Sequence, residues 1–272
     1  MLVAVQDVIA PKRHIFLSPH YDDIALSAGG VAALLSANGR TPEVALIFGD
    51  HPDPNFPLTA FAAGMHKEWG MDADQVIAGR RAEEAVASLT LGACDRYLPF
   101  RDAIYREDRY TQSDQLMGAD PHPDDASIPS EIVTALNLTP ADKPNTRLYA
   151  PLAIGRHVDH QLAFGAGKLL LDDGWAVWFY EDLPYALYPA NVSRRLPEVE
   201  AMGLAPVASV GVGSVWTKKI DAIMAYPSQL STIFGQYVGV GSTRDAIDGE
   251  MARYAELAGE GTRAERFWSA GG

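Results

Sequence analysis

His14-Ile15-Phe16-Leu17-Ser18-Pro19-His20-Tyr21-Asp22-Asp23, running on into Ser27-Ala28-Gly29-Gly30, is the stretch from which the rest of the chain can be read. The first five residues are short, largely apolar and bounded by charge and a proline, which predicts a buried strand. Residues 28–38 have helical composition, and Asn38-Gly39 supplies a stop. Val44-Ala45-Leu46-Ile47-Phe48 predicts the next strand. Ala78, Ala82, Ala85, Val86 and Leu89 then recur at helical spacing as an apolar face, with Arg80, Arg81, Glu83 and Glu84 on the others. Tyr97-Leu98, Leu148-Tyr149-Ala150 and Val177-Trp178-Phe179-Tyr180 are further strands, and residues 158–171 and 215–225 further helices.

Strands alternating with helices predict an α/β fold: a Rossmann-like, mostly parallel sheet with helices on both faces. Ligands of such sheets collect outside the carboxyl ends of the strands, where elaborated loops are expected. Residues 51–58 and 102–130 lack regular pattern and suit loops that wall a pocket. No internal repeat or linker divides the chain, so residues 1–272 are expected to form a single domain.

At 272 residues with 47% hydrophobic and 21% charged side chains, the composition is that of a globular protein, not a disordered or fibrous one. The formal charge of −13 disfavours nucleic acid and an anionic membrane surface as partners. A lone Cys94 excludes an intrachain disulfide and a cysteine zinc cage. The opening apolar run is too short for a secretion signal, and no segment reaches the ~20 apolar residues of a membrane span. A cytoplasmic location is expected.

His20, Asp22 and Asp23 bring an imidazole and two carboxylates to the end of the first strand. That set suits a metal site, with His20 and Asp23 on the ion and Asp22 turned toward a water beside it. The same aspartates would also serve as caps of the following helix. A second cluster, Gly155-Arg156-His157-Val158-Asp159-His160, follows the strand at Leu148. His157 and His160 lie three apart at a helix start, where the positive end of the helix keeps an imidazole neutral. If both clusters converge on one crevice, His20, Asp23 and one of the later histidines make a three-ligand catalytic zinc site. Asp120-Pro121-His122-Pro123-Asp124-Asp125 repeats the His-x-Asp-Asp spacing but follows no strand, and is expected to be a surface loop without metal. His66 is expected on a surface helix. Trp175, Trp178, Phe179 and Tyr180 suit core packing over sugar stacking, while Glu181 through Tyr185 suit the cleft. Arg194-Arg195 and Lys218-Lys219 are expected to be solvated.

Pro19-His20-Tyr21-Asp22-Asp23 together with Gly155-Arg156-His157-Val158-Asp159-His160 resembles the PIG-L/LmbE family of metal-dependent de-N-acetylases. The resemblance extends to Arg80-x-x-Glu83 with Leu91-Gly92, to Phe100-Arg101-Asp102, and to Lys219 through Tyr226-Pro227-Ser228-Gln229. It implies that His20, Asp23 and His160 hold Zn2+ or another divalent ion, that Asp22 is the catalytic carboxylate, and that His157 stabilises the transition state or acts as an acid. Arg80 and Asp102 correspond to positions that contact the sugar or support the pocket. Tyr21 and Tyr226 depart from the family's usual residues, the second where many members carry a histidine.

The implied activity is hydrolysis of an N-acetyl group from an N-acetylglucosamine-type sugar or glycoconjugate, with an amino-sugar as the small-molecule partner. A homo-oligomer is compatible with this. An amidase for another small amide, and a non-catalytic carbohydrate-binding module on the same scaffold, are the alternatives. A nicotinamide site is not expected, because no Gly-x-Gly-x-x-Gly follows the first strand.

Overall fold

The computed structural model describes residues 2–271. Its strands are β1 (Arg13–Ser18), β2 (Glu43–Asp50), β3 (Cys94–Arg101), β4 (Thr146–Pro151), β5 (Ala176–Tyr180), β6 (Leu204–Gly211) and β7 (Ala264–Ala270). They form one sheet in the order β3-β2-β1-β4-β5-β7-β6. The first five are parallel, as expected from their alternation with helices. The last two were not anticipated: β7 runs antiparallel to both β5 and β6. β6 is an edge strand, which tolerates Pro206, and β7 interleaves charge with aromatic residues, so neither carries a plain apolar run.

β1 lies at the centre, with Ile15, Phe16 and Leu17 fully buried. Its carboxyl end delivers Pro19 through Asp23, the end of β3 delivers Asp102, and the end of β4 leads to His157 and His160. That convergence on one edge of a parallel sheet positions the site.

The helix predicted around Ala78–Leu89 exists, as Ala73–Leu91, but its faces are exchanged. Val86 and Leu89 are 54% and 79% exposed, and Ala78, Ala82 and Ala85 also face solvent. The buried side carries Val76, Ile77, Glu84, Ala87, Ser88 and Leu91, with Arg80 half-buried among them. Arg80 lies on the inner face because it pairs with Asp22, and Glu84 because it accepts the Tyr226 hydroxyl, tertiary demands that override amphipathic patterning. The cluster Trp175, Phe179 and Tyr180 is core as expected, and Trp178 lies under the Arg147 guanidinium, 3.9 Å from its ring centre.

Two basic residues expected in solvent are buried instead. Arg195 donates to the Leu152 carbonyl at 2.8 Å and pairs with Glu198 at 2.7 Å. Lys219 donates to Glu265 Oε1 at 2.6 Å and to the Leu26 carbonyl at 2.7 Å. Glu265 also accepts the backbone N–H groups of Gly30 and Val31, at 2.8 and 2.7 Å, so this carboxylate from β7 caps the Gly29–Ala37 helix beside β1. The approach is close: a Cβ on Gly30 would lie 2.8 Å from Glu265 Oε1 and from Val212. Glu265→Ala would strand a buried ammonium and two helix N–H groups. We expect it to lower unfolding stability by about 3–5 kcal/mol in urea titrations, a loss far larger than a solvated pair would give.

Candidate metal centre and catalytic site

The turn after β1 is fixed by its own polar groups. Ser18 Oγ donates to the His20 carbonyl at 2.6 Å, the His20 N–H donates to Asp23 Oδ2 at 2.7 Å, and Tyr21 OH donates to the Gly49 carbonyl at 2.6 Å. Asp22 sits at the N-cap of the short Asp23–Ser27 helix, yet its side chain makes no capping bond. Capping therefore does not account for this aspartate. Its Oδ2 instead lies 3.4 Å from Arg80 Nη2.

The second cluster arrives on a loop with an unusual backbone. Ala153 (φ 60°), Gly155 (φ 87°) and Arg156 (φ 56°) all adopt left-handed conformations, unfavourable for the two non-glycine residues. A Cβ at Gly155 would meet the Tyr185 ring at 2.6 Å. Asp182 Oδ2 accepts the Ile154 N–H at 3.0 Å, and Arg156 is clamped to Glu198 at 2.7 Å. These contacts hold the path that brings His157 to the N-cap of the Val158–Asp172 helix and His160 to its first turn.

His20, Asp23 and His160 meet: each offers a donor atom, and these lie within 4.8 Å of one another. Asp23 Oδ2 is 3.5 Å from His20 Nδ1 and 3.3 Å from His160 Nε2. The far nitrogen of each ring faces a carboxylate, Asp159 at 2.9 Å for His20 and Asp182 at 2.7 Å for His160. Such backing sets the tautomer that turns the near nitrogen's lone pair inward. His160 Nε2 is buried and has no hydrogen-bond partner. An orphaned imidazole nitrogen, a second imidazole and a carboxylate aimed at one point fit a divalent cation. Burial alone would lower His160, but Asp23 and Asp182 outweigh it and lift the ring to about 9; His20 is likewise driven up by Asp159 and Asp23 against burial. The cavity thus attracts positive charge strongly.

His157 behaves differently. Its Nδ1 accepts the Asp159 N–H at 3.2 Å, which leaves Nε2 as the proton-bearing atom. Burial, reinforced by His20, holds it at about 3, so it is a neutral donor. Burial raises Asp22 above the ordinary carboxylate range against the pull of Arg80, which suits a base. Arg80 and Asp102 line one small pocket with Tyr21, Phe48, Ile104 and Tyr105. Asp102 also accepts the Ile104 N–H at 3.1 Å and lies 3.8 Å from His20 Nε2.

Several partners were not legible beforehand. Asp159 lies inside the second motif and Asp182 in the segment that follows β5, and neither sequence context marks a role. Arg106 donates to Asp159 Oδ1 at 2.6 Å and lies 3.1 Å from Asp125 Oδ2. Asp125, the last residue of the repeated His-x-Asp-Asp, is fully buried and also grips Arg109 and the Tyr110 hydroxyl, the latter at 2.7 Å. The segment forms no metal-capable group among the described residues, and its end is a structural anchor and not surface. His66 is buried too, with Nε2 at 2.9 Å from Tyr105 OH. Tyr226 is buried and donates to Glu84 at 2.8 Å. Asp125→Ala should cost about 3–5 kcal/mol in urea unfolding by stranding buried guanidinium charge, where a true surface loop would lose under ~0.5 kcal/mol.

The chain is 32% identical over 221 residues to the 2'-N-acetylparomamine deacetylase of Streptomyces fradiae, spanning 80% of this chain and 73% of that one. It is 31% identical over 242 residues to the protein of the same name from Niallia circulans, spanning 83% of each. Among solved structures, the zinc-inhibited form of a teicoplanin deacetylase superimposes with a TM-score of 0.74 at 25% identity, over 94% of this chain and 97% of the other. No protein-family model matches the sequence.

Proposed function

From the premise that the chain belongs to the LmbE/PIG-L-like family of de-N-acetylases, we propose that it is a zinc-dependent hydrolase that removes the acetyl group from an N-acetylated amino-sugar. Its relatives' names point to glucosamine-type rings within small antibiotic glycosides, such as 2'-N-acetylparomamine. The observation that carries the metal assignment is the buried His160 Nε2, which makes no hydrogen bond and lies 3.3 Å from Asp23 Oδ2. His20, Asp23 and His160 are the ligands. Two imidazoles and one carboxylate suit Zn2+, which when bound supplies Lewis acidity toward the amide carbonyl and makes water more acidic at neutral pH.

The chain's own residues do the rest. Asp22, buried and with its pKa raised, takes the proton of the attacking water. Arg80, 3.4 Å from Asp22 Oδ2, orients that carboxylate. His157 presents Nε2–H to the oxygen on which negative charge develops, a type of contact worth ~3 kcal/mol in the transition state. Because its Nδ1 is committed to the Asp159 N–H, the donor is already oriented before substrate arrives. As the C–N bond breaks, the proton held by Asp22 passes to the departing nitrogen, giving a free amine and acetic acid, which ionise to ammonium and acetate in water. Asp22 is favoured over His157 as the proton source because neutral His157 has a single N–H, spent on the oxyanion. Arg80 and Asp102 in the adjoining pocket are the contacts for sugar hydroxyls. Tyr226 takes no part, its hydroxyl being committed to Glu84.

Roles separate experimentally. Asp22→Asn should keep zinc, read by metal analysis, while acetate release from 2'-N-acetylparomamine falls by at least about 10³-fold, as loss of a general base and proton carrier predicts. His160→Ala should lose both. Retention of most turnover by Asp22→Asn would remove the proposed base. Chelation should also lower the melting temperature of the wild type, because the ion binds only the folded chain, and zinc should restore it.

A further inference from the structure

Beside His160 begins a run of aromatic rings that ends in solvent. Tyr185 meets His160 edge-on with centroids 5.4 Å apart, Tyr237 meets Tyr185 at 5.9 Å, and Tyr188 meets Tyr237 at 5.1 Å. Tyr188 and Tyr237 are 37% and 39% exposed. Single exposed tyrosines need no explanation, but a connected row that starts at a ligand imidazole and opens outward does.

The row is built and held. Asn191 Nδ2 donates to the Tyr185 carbonyl at 3.0 Å and to the Tyr237 hydroxyl at 3.3 Å, and the Tyr188 hydroxyl donates to the Tyr237 carbonyl. Tyr237 comes from a π-helical segment, Ser231–Val238, closed by Gly239 at φ 81°. Eight residues of π-helix are uncommon, and such windings concentrate where a side chain must be aimed for function. Here the aimed side chain is Tyr237, turned against two other tyrosines instead of into the core.

The geometry points to a stacking subsite: we propose that Tyr185, Tyr237 and Tyr188 receive the ring attached to the acetamido sugar, a saccharide or aminocyclitol carrying ammonium groups. The proposal rests on the deacetylase reading for the position of the acetamido ring at His20, Asp23 and His160. A phenol face matches the C–H face of a six-membered ring and also attracts an ammonium group. The chain's formal charge of −13 favours a cationic ligand over an anionic one. Centroid steps of 5.4, 5.9 and 5.1 Å lead from the ligand imidazole through Tyr185 and Tyr237 to the exposed Tyr188.

The test is calorimetric titration of the zinc-loaded enzyme with glucosamine, which has one ring, and paromamine, which has two. Binding of these deacetylated compounds needs no turnover. The wild type should bind paromamine about tenfold more tightly than glucosamine, a margin equivalent to partial burial of one aromatic face. Tyr237→Ala should erase that margin while leaving glucosamine affinity unchanged; Tyr188→Ala should act in the same direction. Tyr237→Phe should keep it, because the ring and not the hydroxyl makes the contact. An unchanged margin in Tyr237→Ala, equal affinity for the two compounds in the wild type, or no binding of paromamine would each overturn the subsite. Acetate release from 2'-N-acetylparomamine is scored separately. If it fails while the paromamine margin behaves as described, the deacetylase reading falls and the stacking subsite stands.

Discussion

Three ligand-type atoms, from His20, Asp23 and His160, lie within 4.8 Å of one another in the interior. Asp23 contributes the negative charge, His20 and His160 the lone pairs, and each imidazole is backed by a buried carboxylate, Asp159 or Asp182. In a low-dielectric pocket such an arrangement is stable only around positive charge. The rest of the molecule serves that constraint. The parallel sheet brings the ends of β1 and β4 together, and the left-handed backbone between Ala153 and Arg156 delivers the second cluster. Arg106 balances Asp159 and Asp125 from behind. Strain and buried charge are both tolerated where they fix the geometry of a site.

The parallel half of the fold was legible because its strands are short apolar runs buried on both faces, and helix-forming segments separate them. The metal-capable residues were legible for a related reason: they directly follow two of those strands. What escaped was set by tertiary context. Pro206 and the mixed composition of β7 hide the antiparallel pair, which is recognised only through its partners. On the Ala73–Leu91 helix Arg80 turns inward to pair with Asp22 and Glu84 to accept the Tyr226 hydroxyl, so the apolar Val86 and Leu89 face solvent. Asp125 sits in a proline-bracketed loop whose sequence looks like surface. Only the arginines at 106 and 109, themselves undistinguished in sequence, explain its burial. Lys219 was likewise hidden by the remoteness of Glu265 in the chain.

Division of labour among the site's carboxylates follows from their surroundings. Asp23 faces two imidazoles and is held far below the ordinary range despite its burial; Asp22, one residue away, is raised by burial against the pull of Arg80 and His20. One therefore remains an anion fit to bind a cation, while the other can accept and return a proton. His157, kept neutral by burial and by its neighbours, completes the set as a donor without charge. The tyrosines beside His160 extend the same edge of the sheet outward, so chemistry and recognition share one wall.

The most direct test of this account is an anomalous-difference map from crystals of the zinc-loaded protein, recorded at the zinc absorption edge. The account predicts one strong peak per chain, bonded to His20 Nδ1, Asp23 Oδ2 and His160 Nε2 at about 2.0–2.2 Å. A peak held instead by His157 with Asp159, or by the loop at His122 and Asp124, or no peak at all, would contradict it.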